Sequence, residues 1–295
     1  DQTKQTHSYK FGSLNHINKD VRAQAIAHNQ EVIDYGMALG SKALTVWLAD
    51  GASFPGQNNL QRSFANTYDS LKAIYGLLPD DWKVLIEYKP YEPNFYSMAI
   101  PDWGTSFLLA TKLGDKAKTL VDLGHHLPNT NIEQIVAILL HEGRLGGFHF
   151  NDSKYGDDDL TVGSLKPYQL FLIFNELVEG MNENPSLSLS WMIDASHNLK
   201  DPLEDLLQSI EAIKIAYAQA LLVDKEALQN AQTSNDVALC QEILQGAYRT
   251  DVRPLLAESR LRRAGALNPL GVYRSLEVRK NLIKERGSST FTSGL

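Results

Sequence analysis

The sequence predicts an α/β protein built on a parallel sheet. Two observations carry that expectation. Short apolar runs rich in Val, Ile, Leu and aromatic residues alternate with longer amphipathic stretches, which is the signature of successive β/α units. The alternation stops after residue 194, and the chain beyond it reads as helix.

The elements follow in order. Helices are expected over 20–40, 59–78, 102–114, 130–143 and 166–180, where apolar residues recur every three or four positions. Gly40, Gly114, Gly143 and Gly180 stand at their ends, as left-handed C-caps prefer. Strands are expected at "KALTVWLAD" (42–50), "KVLIEYK" (83–89), "KTLVDLG" (118–124), "GGFHFND" (146–152) and "LSWMID" (189–194). Residues 201–223 read as one long helix with Asp201 as N-cap and Pro202 at its first position. We therefore expect residues 1–224 to form a β/α catalytic domain and 225–295 a helical extension that supplies oligomer contacts. Five β/α units are visible, whereas a closed barrel of this type needs eight. Five strands form either an open sheet or the later part of a barrel.

Composition narrows the function. The 295 residues are 43% hydrophobic and 21% charged, with a formal net charge of -7. That acidic balance argues against a general nucleic-acid or anionic-membrane binder. Cys240 is the single cysteine, so no disulfide forms within the chain and a reducing compartment is expected. The first residues are polar, and no run approaches the roughly 18 apolar residues of a membrane span. The expectation is a soluble, cytoplasmic protein.

Acids and imidazoles stand where the strands end. Glu87 closes the second strand, with Lys89 two residues on. Asp122 and His125 close the third, His149 and Asp152 the fourth, and Asp194 the fifth, with Ser196 and His197 just after. In parallel α/β folds these C-terminal strand ends converge on one face. Glu87, Asp122, His149 and Asp194 would meet there, and clustered carboxylates raise one another's pKa unless a cation joins them. An oxygen-rich set with one or two imidazoles suits Mn²⁺, Mg²⁺ or Co²⁺, with Zn²⁺ as a further option. Asp157 and Asp159 stand in a D-x-D relation, which in an extended segment puts both on one side. With Asp122 and His125 they could hold a second ion, Asp122 bridging the two. Taken singly, the D-x-D loop reads as solvated, Lys89 as a surface lysine, Trp47 as core, and His126 and His197 as surface or supporting residues.

The stretches "TVWLADG", "DDWKVLIEYKPYEP", "VDLGHHLPNTNIE", "GGFHFNDSKYGDDDL" and "MIDASHN" closely resemble bacterial L-rhamnose isomerases of broad specificity, within the xylose isomerase-like superfamily. The resemblance covers nearly the whole chain. It implies a (β/α)8 TIM-barrel fold, a homotetramer, and two divalent ions per site, Mn²⁺ first. It implies interconversion of L-rhamnose and L-rhamnulose, or related aldoses such as L-mannose, L-lyxose and D-allose, by a metal-assisted 1,2-hydride shift. By the same resemblance Glu87, Asp122, His149 and Asp194 form one ion site, and Asp122, His125, Asp157 and Asp159 the catalytic one. Lys89 would contact the sugar O1, Trp47 would wall the sugar, and Ser196 would lie near it. Members of the family carry three further barrel strands and a histidine ahead of "SYKFG", so a preceding segment, supplied covalently or by another chain, is expected. The alternative readings are a single-metal ketose 3-epimerase, which needs two opposed carboxylates at one carbon, and a truncated, inactive metal-binding paralogue.

Overall fold

A computed structural model describes residues 5–196 and 199–288, so His197 lies outside the described residues. The chain divides into two compact units. The first comprises the chain up to Asp158 and Glu179–Asp194; the second comprises Asp159–Val178 and the chain from Ala195.

The elements in chain order are α1 (Lys19–Ala38), β1 (Ala43–Val46), β2 (Gly51–Ala52), α2 (Leu60–Leu77), β3 (Lys83–Glu87), β4 (Ser97–Met98), α3 (Trp103–Leu113), β5 (Ala117–Asp122), α4 (Ile132–His141), β6 (Leu145–Phe150), α5 (Pro167–Glu183) and β7 (Ser190–Ile193). The strand order of the main sheet is β1-β3-β5-β6-β7, and every pair in it is parallel. Each strand therefore joins beside its predecessor and the order never reverses. That is the winding of a β/α barrel, and it differs from the doubly wound sheet, whose order reverses at a switch point. The fold is of the TIM-barrel type, with five of its strands here and a helical C-terminal part.

Local chemistry sets these elements. Asn18, Asn59 and Asp102 cap α1, α2 and α3, each accepting a first-turn backbone N–H, worth about 1 kcal/mol apiece. Val84, Leu85 and Ile86 of β3 and Leu120 and Val121 of β5 are buried, as strands covered on both faces require. Val46, Leu71, Ile74, Trp82, Ile86 and Leu109 join one apolar core from both the strands and the helices. In β6 the pair Gly146–Gly147 has no room for side chains: a Cβ on Gly146 would come within 2.6 Å of Lys118 Cβ.

The elements depart from expectation in two places. Gly180 does not end its helix, since α5 runs on to Glu183; a Cβ there would stand 2.9 Å from Leu140, so this glycine serves close packing. The antiparallel pair of β2 with β4 was not expected, because two-residue strands carry no periodicity. Gly40 and Gly143 do adopt the left-handed conformation, with φ of 77° and 61°.

The second unit is helical. After the earlier turns of α5 come α6 (Pro202–Leu221), α7 (Lys225–Thr233), α8 (Val237–Tyr248), α9 (Arg253–Arg262), α10 (Pro269–Ser275) and α11 (Val278–Arg286). Asp201 caps α6 with Pro202 in its first turn, as expected. Buried Asp205 accepts from Thr161 and from Lys200, and Phe174 meets Tyr217 with ring centroids 6.0 Å apart. Among the described residues no single helix is long and apolar enough to cross a membrane, although the bent pair α6 and α7 passes the same test of length and composition together.

Candidate metal centre

Three neighbouring strands deliver the first cluster. Glu87 ends β3, Asp122 ends β5 and His149 stands one residue before the end of β6; all three strands run in the same direction, so the groups gather at one end of the sheet. Register fixes the central pair, because Asp122 lies directly across from His149. Asp194, just past β7, is tied in by its N–H to the Phe150 carbonyl at 3.1 Å.

His149 Nδ1 is the hub. It lies 3.1 Å from Glu87 Oε1, 3.4 Å from Asp194 Oδ2 and 3.5 Å from Asp122 Oδ2. Metal bonds of about 2.1 Å in octahedral geometry put adjacent donor atoms roughly 3.0 Å apart, close to this spacing. Asp122 Oδ2 is buried without a hydrogen-bond partner. Leaving such an oxygen unsatisfied costs on the order of 1–3 kcal/mol, and a cation removes the cost. The residues present fit a divalent cation, and Glu87, Asp122 and His149 form a candidate metal-binding triad.

The charges answer to one another. Burial pulls His149 down, but the neighbouring Asp122 and Glu87 carboxylates outweigh it and push the imidazole up to about 10. Burial pulls Asp122 upward, yet His149, His125 and Asn151 hold it below its ordinary value.

A second cluster adjoins the first. His125 Nε2 lies 2.9 Å from Asp157 Oδ1, and its Nδ1 lies 3.0 Å from the Tyr88 carbonyl and 3.3 Å from Glu87 Oε1. Both ring nitrogens face acceptors, and its pKa is raised: burial opposes the charge, but Asp157, Asp122 and Glu87 overcome it. Lys89 is buried and bonds both Asp157 and Glu92. Its pKa too is raised, since those two carboxylates outweigh burial, and it acts as a fixed cation. The Lys89 ammonium sits 5.4 Å from the Trp47 ring centroid. Trp47 is 42% exposed, so it is not a core residue, the reading it has when taken singly.

The D-x-D segment is not extended. Asp157 and Asp159 have φ of 54° and 48°, and Asp158 between them accepts backbone N–H groups of Lys154 and Tyr155. The strand rule that put the two aspartates on one side does not apply to such a turn. Asp157 joins Lys89 and His125, whereas Asp159 and Ser196 belong to the second unit, where the Ser196 N–H donates to the Asp159 carbonyl at 2.7 Å.

Three residues escaped sequence reasoning or were undervalued by it. His126 is buried and meets the Tyr88 hydroxyl at 2.6 Å. Glu92 pairs with Lys89 from one helical turn's distance in sequence. Asn151 donates to Asp122; its place two residues after His149, on the same side of a strand, was the available signal.

No family model matches the chain. The chain is 53% identical over 287 residues to a "Probable sugar isomerase" of Rhizobium meliloti (strain 1021), an alignment covering 97% of this chain and 67% of that protein. A second "Probable sugar isomerase", from Mesorhizobium japonicum, is 52% identical over 295 residues, covering 100% of this chain and 69% of that protein. Among solved structures, the chain is similar to a D-tagatose 3-epimerase-like protein, with TM-score 0.55, 17% identity, and coverage of 69% of this chain and 74% of that one. It is also similar to a D-allulose 3-epimerase from Methylomonas sp., with TM-score 0.51, 14% identity, and coverage of 70% and 74%. At such identities the likeness is one of fold.

Proposed function

This chain belongs to the sugar isomerase family of those two relatives, and we propose that it carries the ion site of a metal-dependent enzyme acting on an open-chain sugar. Glu87, Asp122, His149 and Asp194 would hold one divalent ion, with Mn²⁺, Mg²⁺, Co²⁺ or Zn²⁺ as candidates. When bound, that ion supplies Lewis-acid polarisation of neighbouring sugar oxygens. The chain's own residues do the rest. Lys89, kept charged by Glu92 and Asp157, offers a cation to a developing oxyanion. Trp47 offers an apolar face to the sugar's carbon chain.

The reading best supported is single-ion proton transfer at the carbon beside a ketose carbonyl, the chemistry of a ketose 3-epimerase. The observation that carries it is the ligand set itself. Among the described residues one group of three or more donors converges closely enough for an ion, and it contains Glu87 and Asp122. Glu87 and Asp194 are the carboxylates assigned to remove a proton at carbon and return it. They differ in setting, Glu87 being buried and Asp194 57% exposed.

A second reading has its own observation. The Tyr88 carbonyl accepts from His125 Nδ1, which leaves Nε2 aimed at Asp157. A backbone acceptor behind a histidine is how ligand imidazoles are oriented. A second ion between His125 and Asp157 would suit hydride transfer between C2 and C1, as in L-rhamnose to L-rhamnulose conversion. In this reading Lys89 holds O1. The stretch 225–295 is assigned to oligomer contacts in a tetramer, which sedimentation velocity would test.

One experiment separates the readings. The chain is incubated with Mn²⁺ and a panel of ketohexoses and 6-deoxyketohexoses in D₂O, and products are followed by proton NMR. Proton transfer at C3 gives the epimeric ketose with deuterium at C3. Hydride transfer gives an aldose without solvent deuterium on carbon. Mn²⁺ binding with neither product nor deuterium uptake would leave a metal-binding paralogue and overturn both.

A further inference from the structure

Asp122 presents its two oxygens to different surroundings. Oδ2 faces the other donors and has no hydrogen-bond partner. Oδ1 is already committed: it accepts the Gly124 backbone N–H at 2.8 Å and the Asn151 side-chain amide at 2.9 Å. Both donors are fixed. Asn151 is buried, and Gly124 is held by its carbonyl, which accepts from the Asp157 N–H at 2.9 Å. The cradle has no slack, since a methyl group on Gly124 would stand 3.1 Å from Asn151 Oδ1 and 3.3 Å from Asp122 Oδ1.

Two donors on one oxygen have two consequences. They hold the carboxylate plane against rotation, because turning it would strand a buried N–H and a buried amide. They also occupy the lone pairs through which that oxygen would meet a cation. The remaining oxygen is aimed at His149.

We infer that Asn151 is a positioning residue for the ion site: its carboxamide, with the Gly124 N–H, turns Asp122 into a ligand that offers Oδ2 alone. This rests on the metal-ion reading above. It also specifies the site further, because Asp122 then cannot bridge two ions through separate oxygens; any bridge would have to run through Oδ2. Asn151 touches neither sugar nor ion and acts through Asp122.

The test replaces the donor while keeping volume, with Asn151→Leu. Co²⁺ is titrated into the full chain, its Asn151→Leu variant and an Asp122→Asn control, by calorimetry and by visible absorption. A metal-free melt checks that each variant folds; if the leucine variant does not melt cooperatively, Asn151→Ala is used in its place. The expected result is binding by the wild type and an affinity roughly 10- to 100-fold weaker in the Asn151 variant, with a changed Co²⁺ ligand-field spectrum. A Co²⁺ spectrum like that of the wild type overturns the inference, whatever the variant's stability, because a residue that only supports the fold leaves the ion's geometry alone. No binding by the wild type overturns the ion reading itself, and a control that binds like the wild type removes Asp122 from the site.

Discussion

The two polar clusters are neighbours, yet they are built by different means. Glu87, Asp122 and His149 are strand residues, and the Asp122–His149 pair is fixed by sheet register. Asp157 sits in a left-handed turn, is 30% exposed and reaches its partners Lys89 and His125 from a loop. In the first cluster the acids outnumber the imidazole and leave Asp122 Oδ2 without a hydrogen bond, 3.5 Å from His149 Nδ1; in the second, Asp157 pairs with both Lys89 and His125. The comparison teaches that the strand cluster gathers carboxylates round one imidazole, the arrangement that suits a cation, whereas the loop cluster pairs its carboxylate with side chains already beside it. Backbone register gives the first a rigid geometry at no cost in loop entropy.

The largest effect should come from breaking the strand cluster. Asp122→Asn removes the central carboxylate charge and should lower turnover by roughly 10³-fold, since the polarisation that the ion supplies is worth several kcal/mol. Steady-state rates at saturating Mn²⁺ check this; a loss under tenfold would place the chemistry elsewhere. Breaking the loop cluster should cost less. Asp157→Asn leaves Lys89 with Glu92 alone and should reduce turnover by about 10- to 100-fold, without weakening the first ion. Equal losses for the two variants would erase the distinction between the clusters.

A pH series sharpens the same contrast. In the metal-free protein His149 is raised to about 10, so it is protonated at neutral pH, and its ion pairs contribute stability in full below the ordinary imidazole value of 6.5. That contribution is lost as pH rises through about 10. Melting temperatures of the chelated protein should therefore fall over that range for wild type more than for His149→Gln. Ion binding must displace the His149 proton, so affinity should rise with pH, and calorimetry in buffers of different ionisation enthalpy should register the released proton. No proton release near pH 8 would count against His149 as a ligand. The smallest effect belongs to Trp47, whose ring gives the Lys89 ammonium about 0.5–1 kcal/mol. Trp47→Ala should change KM by about two- to fivefold, and a collapse of kcat would assign the ring a larger part.

What the sequence revealed follows the same division. Glu87, Asp122, His149 and Asp194 were legible because a parallel strand's end is readable from where its apolar run stops. Strand order then brings those ends together without further information. The course of 157–159 was not legible, because Asp158's capture of the Lys154 and Tyr155 N–H groups imposes a turn that composition alone does not announce. Tyr88 and His126 meet across different strand ends, a pairing that neither residue's neighbours encode. Gly180 looked like a helix stop because its packing partner, Leu140, lies 40 residues away in sequence.

Ion stoichiometry tests the central claim most directly. Mn²⁺ is counted by elemental analysis after equilibrium dialysis of the wild type, Asp122→Asn and Asp157→Asn. The account predicts one tightly held ion per chain in the wild type and in Asp157→Asn, and none in Asp122→Asn. An ion retained by Asp122→Asn, or lost from Asp157→Asn alone, would contradict it.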